Sequence, residues 1–167
     1  MGSRSKITEE TKKAYIAGFL DGDGSLMLQI KKRNDGKDVD KIYLRFMSTI
    51  CLYQDTRHEK DLYWIQEVLG IGYISKRKDG MTELRINGYK QVRDILKNLS
   101  PYIRFKKLQT SALLEACEIL SSTTFKKLNK KQLSKLVDLI LVIQNENYTT
   151  KKKKNKNDLL KILGLTP

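Results

Sequence analysis

Ile16-Ala17-Gly18-Phe19-Leu20-Asp21-Gly22-Asp23-Gly24 is an apolar segment that runs directly into two carboxylates set among glycines. From about Thr8 the chain has helical logic. Thr8 or Thr11 can cap, Glu9 and Glu10 suit the positive N-terminal end, and Tyr15, Ile16, Phe19 and Leu20 recur at i, i+1, i+4 and i+5. Gly18 and Gly22 lie one turn apart beside Ala17, so that face carries almost no side-chain bulk and admits the backbone of a second helix. A mid-helix glycine costs about 0.8–1.0 kcal/mol against alanine, and two of them require a packing reason. Gly22 and Gly24 stop the helix where its last carbonyls carry partial negative charge. Adding Asp21 and Asp23 there makes a place that prefers a cation. The stretch therefore reads as a dimer seam and a metal site at once.

Beyond Gly24 the hydrophobic period changes from helical to alternating. Leu26, Leu28 and Ile30 point one way and Met27, Gln29, Lys31 and Arg33 the other, the pattern of a half-buried strand. Turn chemistry follows at Asn34-Asp35-Gly36-Lys37-Asp38. A second alternating run places Ile42, Leu44, Phe46, Ser48, Ile50 and Leu52 on one face, with Tyr43, Arg45, Met47, Thr49 and Cys51 on the other. A helix is predicted from about His58 to Leu69, stopped by Gly70. Tyr73–Arg77 and Thr82–Asn87 then flank Lys78-Asp79-Gly80, a hairpin turn. This hairpin presents Ser75, Arg77, Glu83, Arg85 and Asn87 opposite Ile74, Leu84 and Ile86.

The remainder is helical: Tyr89–Leu99, Phe105–Leu120, Leu133–Ile143 and a short terminal helix at Asp158–Leu163. Residues 1–7 read as a flexible tag or arm, and 151–156 as a basic, flexible linker. The prediction is α+β, in the order α-β-β-α-β-β-α with further C-terminal helices, as a single domain over 1–167. The four antiparallel strands have helices on one face only, which leaves the other face to a ligand.

Charge names the ligand class. Lys and Arg total 33 against 19 Asp and Glu, a net charge of +14 with a pI near 9.7. A polyanion is the natural partner, and nucleic acid fits better than a membrane surface because no basic amphipathic helix dominates. No apolar run approaches the ~20 residues of a membrane span. Cys51 and Cys117 lie far apart without spaced histidines, which excludes a zinc pattern and suits a reducing compartment. His58 is the only histidine, which makes a Ser-His-Asp triad improbable.

The exposed sheet face carries the side chains that read base edges. Arginine can fork to guanine, glutamine or asparagine can grip adenine, and glutamate can accept from cytosine. Gln29, Lys31, Arg33, Arg45, Arg77, Glu83, Arg85 and Asn87 supply all three classes, and Met27, Tyr43, Met47, Cys51 and Ser75 share their face. A ten-residue strand rises roughly 33 Å, close to the ~34 Å of one DNA turn. An ordinary solvated sheet face would alternate in the same way. For the two acids the bland alternative is a plain helix end. An EF-hand fails, since Leu26 and Lys32 stand where that loop needs glycine and glutamate. A phosphate-binding glycine loop fails because these glycines follow a helix instead of opening one.

The nonapeptide resembles the signature of the LAGLIDADG homing endonucleases at Ala17, Gly18, Asp21, Asp23 and Gly24. Gly70-Ile71-Gly72-Tyr73 and Ser100-Pro101-Tyr102 with Arg104, Lys106 and Gln109 extend the likeness over roughly Tyr15 to Ile143, in the compact single-motif, homodimeric subfamily. The resemblance implies a saddle-shaped sheet in the major groove of double-stranded DNA. It also implies signature helices packed across a two-fold through Ala17, Gly18, Asp21 and Gly22. Asp23, with the Gly22 carbonyl, would bind Mg²⁺, two or three ions per dimer. Mn²⁺ would substitute, and Ca²⁺ would support binding without cleavage. Gln54 and Lys106 would order water and balance phosphate charge. A basic group is implied at His58, with Arg57 beside it as the competitor.

The implied activity is a staggered double-strand break in a long, nearly palindromic site, as in intron homing, with no small-molecule substrate and no membrane. The alternative is a non-cutting binder on the same fold, such as an RNA-splicing maturase or a transcription regulator. An intracellular, organellar setting is expected from the heavy use of Lys, Asn, Ile and Leu.

Overall fold

The computed structural model describes residues 8–34, 42–148 and 152–166. Its elements are α1 (Glu9–Asp23), β1 (Gly24–Asn34), β2 (Ile42–Asp55), α2 (Lys60–Leu69), β3 (Tyr73–Lys76), β4 (Met81–Asn87), α3 (Tyr89–Leu99), α4 (Lys107–Ser122), α5 (Lys130–Glu146) and α6 (Lys156–Ile162). The α+β order expected from the sequence is present. The sheet runs β1-β2-β4-β3 and every pair is antiparallel, so the two hairpins lie side by side with β2 against β4. The first turn, from Asp35 on, and the arm at 1–7 lie outside the described residues.

Alternation decides which face is buried. Leu26, Leu28, Phe46, Ile50, Leu52, Leu84 and Ile86 point into a core shared with Ile16 and Leu20 of α1 and with the apolar faces of α2 to α5. Among the described residues no helix is long and apolar enough to cross a membrane. Gly80 takes a φ of +79° in the second hairpin, where the Arg77 N–H donates to the Met81 carbonyl at 2.7 Å. A residue with a side chain would be strained there.

Several boundaries differ from expectation, each for a local reason. His58 closes a 3₁₀ turn over Thr56–His58, capped by Asp55, and α2 begins only at Lys60. Helix α5 starts earlier, at Lys130. Asn129 accepts from the Gln132 N–H while Gln132 accepts from the Asn129 N–H, a reciprocal box that satisfies two donors at the helix start. The described part of the 151–156 segment is tied to α5. The Lys154 N–H donates to Gln144 Oε1 at 3.0 Å, Lys153 Nζ reaches the Asn145 carbonyl at 3.4 Å, and Lys156 pairs with Asp138 at 2.7 Å. Leu159 of α6 is buried against the core.

The passage from α1 to β1 turns on Gly24. A Cβ there would lie 2.5 Å from Leu20 Cδ1 and 2.7 Å from the Leu20 carbonyl oxygen. Gly24→Ala is therefore expected to destabilise the fold by about 1–3 kcal/mol, as overpacking does, and a urea midpoint unchanged from wild type would refute this close approach.

Candidate active site and nucleic-acid interface

The two acids of the opening stretch have separate fates. Asp21 is buried and its carboxylate accepts three backbone N–H groups, those of Arg104 at 2.6 Å, Phe105 at 3.2 Å and Lys106 at 3.0 Å. These are backbone donors of the segment that leads into α4, so a residue 83 positions upstream holds the entry to that helix. Helix α4 begins at Lys107 and not at Phe105. Lys106 is also buried, and its Nζ donates to the Asp21 carbonyl oxygen at the end of α1. Burial pushes the Lys106 ammonium below the ordinary lysine range, against the pull of Asp21 and Asp23.

Asp23 is exposed and makes no hydrogen bond or ion pair among the described residues. It opens on a cavity of about 590 Å³ lined also by Gly22, Ser25, Tyr53, Phe105, Lys106, Gln109 and the α5 end at Glu146, Asn147 and Tyr148. Gln109 Oε1 is buried there without a partner among the described residues. Burial, with the hydroxyl donating to Cys51, pushes the Tyr53 hydroxyl up to about 12. Asn147 fixes the α5 end by donating to the Leu26 carbonyl of β1 at 3.1 Å. Gln54 and His58 do not line this cavity. Gln54 lies two residues past Leu52, the partner of Gly24, and its Oε1 accepts the Asp55 N–H at 2.8 Å. Arg57 is engaged elsewhere: its Nε and Nη2 fork onto Asp55 at 3.0 and 2.9 Å, holding that carboxyl well below the usual range. His58 is exposed and, unlike Arg57, makes no hydrogen bond or ion pair among the described residues.

On the open sheet face the register sets Lys31 beside Arg45, Gln29 beside Met47 and Arg33 beside Tyr43. The second hairpin continues it with Arg85 between Cys51 and Tyr73, and Glu83 between Tyr53 and Ser75. Lys31, Arg33, Tyr43, Arg45 and Arg77 are exposed, and Met27, Gln29, Met47, Ser75, Arg85 and Asn87 half-buried. Arg77 pairs with Asp79 at 2.7 Å and lies 5.8 Å over the Tyr53 ring. Two expected DNA contacts are corrected. Cys51 is fully buried beneath its neighbours, and Glu83 is only 8 % exposed because its carboxylate is consumed within the sheet. Tyr53 and Tyr73, missed in the sequence reading, stand on this face by the same alternation.

The family model described as LAGLIDADG endonuclease matches residues 16–117, more than half of the chain. The chain belongs to that family. It is 32 % identical to DNA endonuclease I-CvuI of Chlorella vulgaris over 162 residues, covering 93 % of this chain and 94 % of the relative. To DNA endonuclease I-CreI of Chlamydomonas reinhardtii it is 31 % identical over 108 residues, covering 65 % and 63 %. I-CvuI has been solved with the I-CreI target in 2 mM Mg, the DNA uncleaved. A second structure holds its own target in 2 mM Ca, and each gives a TM-score of 0.70 at 29 % identity, covering 95 % of this chain and 98 % of that one. An archaeal intron-encoded homing endonuclease, I-Vdi141I, has the same fold, with a TM-score of 0.76 at 23 % identity, covering 94 % and 97 %.

The LAGLIDADG helix α1 divides its small residues between two faces. Ala17 and Asp21, four residues apart, both turn inward, which removes them from the expected dimer seam. Gly18 and Gly22 face outward, and a Cβ on either would meet nothing within 4 Å. Exposed Tyr15, Phe105 and Leu108 are also present on the surface, the last two at the start of α4.

The two carboxylates should part in a melting experiment. Asp21→Ala is expected to cost about 2–3 kcal/mol, since three charge-assisted bonds vanish, while Asp23→Ala stays within about 0.5 kcal/mol; equal losses would contradict the division.

Proposed function

We propose that the chain is a homodimeric, divalent-metal-dependent endonuclease that hydrolyses both strands of a long, pseudo-palindromic DNA site to leave a staggered break, as in intron homing. The observation that carries this reading is Asp23: exposed at the end of α1, beside the buried Lys106, and adjoining a helix face left bare at Gly18 and Gly22. One chain is chemically incomplete. Among the described residues no three His, Cys, Asp or Glu side chains are grouped to hold a metal. A second chain packed on Gly18 and Gly22 would bring a second Asp23 to the first and complete a set of hard oxygen donors.

That donor set, carboxylate and carbonyl oxygen from Asp23 and Gly22, fits Mg²⁺, with Mn²⁺ as a substitute, and Ca²⁺. When bound, such an ion would polarise the phosphate, activate water and stabilise the leaving oxygen. The chain's own residues do the rest. Asp21 and Lys106 lock the end of α1 to the start of α4, so the Gly22–Asp23 backbone is held rigidly. Lys106 offers a positive charge beside the phosphate, Gln54 orders water near the end of β2, and His58 rather than Arg57 fills the basic role. Lys31, Arg33 and Arg45 track the duplex across the open face of the sheet.

I-CvuI has been solved in complex with DNA targets, and the same partner is proposed here, with no membrane and no small-molecule substrate. Both cysteines are free and buried, in keeping with a reducing, organellar setting.

With a DNA site selected from a random library, Asp23→Asn should bind in Ca²⁺ and fail to cut in Mg²⁺. Retained cutting would remove Asp23 from the metal site, and wild-type binding in both ions without cutting would leave a pure binder. Light scattering should give a dimer that Gly18→Leu converts to monomer. Raising salt from 50 to 200 mM should weaken binding by about 10³–10⁵, if each protein contacts six to ten phosphates.

A further inference from the structure

Glu83 stands on the sheet face proposed to lie on DNA, yet it has nothing left to offer a base. Its Oε1 accepts from Arg85 Nε at 3.2 Å and from Ser75 Oγ at 3.3 Å. Its Oε2 accepts from Arg85 Nη2 at 3.3 Å and from the buried Cys51 Sγ at 3.8 Å. An ionised carboxylate has about four acceptor sites, and all are taken from three strands, while Arg77 Nη1 adds charge 3.9 Å from Oε2. A cytosine amino group therefore finds no free lone pair on Glu83.

The same contacts define Arg85. Glu83 grips the guanidinium along its Nε–Nη2 side, using two of its five N–H donors. The two on Nη1 and the second on Nη2 remain, and these form the end of the fork that matches guanine O6 and N7. An arginine reaching into a groove alone must lose its rotamer freedom on binding, whereas this one is fixed beforehand.

We infer that Glu83 is a positioning residue that presents Arg85 to a guanine in the target site, its carboxylate making no base contact itself. The inference rests on the reading that the open sheet face binds DNA. Recognition at this position thus belongs to a pair on one strand, with Ser75 and Cys51 holding the carboxylate from either side.

The test is a selection from a double-stranded library with randomised positions, in Ca²⁺. It uses the full chain and its Arg85→Ala, Glu83→Ala, Glu83→Gln and Glu83→Ala/Arg85→Ala variants. Wild type should enrich sites with guanine at one position in each half-site. Arg85→Ala should lower that preference on the order of tenfold, leaving other positions alone. Glu83→Ala should lower it about threefold or more at the same position and do nothing further in the Arg85→Ala background.

Glu83→Gln keeps the shape and part of the grip, so it should fall between, and it decides the matter if the alanine variant does not fold. An unchanged guanine preference in Glu83→Gln and Glu83→Ala would overturn the inference. So would a loss of cytosine preference at a position Arg85 does not affect, or a loss spread evenly over the site that persists without Arg85. If wild type enriches no sequence at all, the DNA reading fails first and takes this inference with it, an outcome distinct from the others.

Discussion

The carboxylate of Asp21 is the point on which the rest of the structure depends. It holds the Arg104–Lys106 approach to α4 with three backbone bonds while belonging to the last turn of α1. Two helices far apart in sequence are thereby welded end to end, and Lys106 seals the joint from the other side by capping a carbonyl of α1. A buried charge in this position is stable because it is fully hydrogen-bonded, which is the condition for burying one at all. The Gly22–Asp23 backbone is then delivered at a fixed point between the sheet and the C-terminal helices.

Much of this was legible in the sequence where the physics is local. The alternation of Leu26, Leu28 and Ile30, and of Leu84 and Ile86, gave both strand and buried face, and Gly70 marked the end of α2. Asp21 was also legible in principle, since four-residue spacing places it with inward Ala17 while Gly18 and Gly22 lie together on the adjacent face. Reading the small residues as one face was the error at Ala17, because neighbours on a helix are turned about 100° apart. Resemblance to the LAGLIDADG family pointed at Asp23 through the signature and at Lys106 through the downstream match, but not at how Lys106 is held.

What the sequence concealed was set by contacts across the sheet. Cys51 and Glu83 alternate with the exposed set, and parity alone makes them surface residues. Their burial comes from Tyr53, Ser75 and Arg85, brought alongside by pairings among β2, β3 and β4. Likewise Glu146 to Tyr148 belong to the cavity only because Asn147 is bonded to the edge of β1 more than a hundred positions earlier. No local pattern encodes such neighbours.

The bare carboxylate of Asp23 has an evolutionary side. A residue that holds nothing in place is invisible to selection for folding, so stability does not by itself keep an aspartate there. One substitution at this position can leave the scaffold and its open sheet face intact. The two acids of one short stretch thus answer to different pressures, Asp21 to the fold and Asp23 to whatever its exposed carboxylate serves.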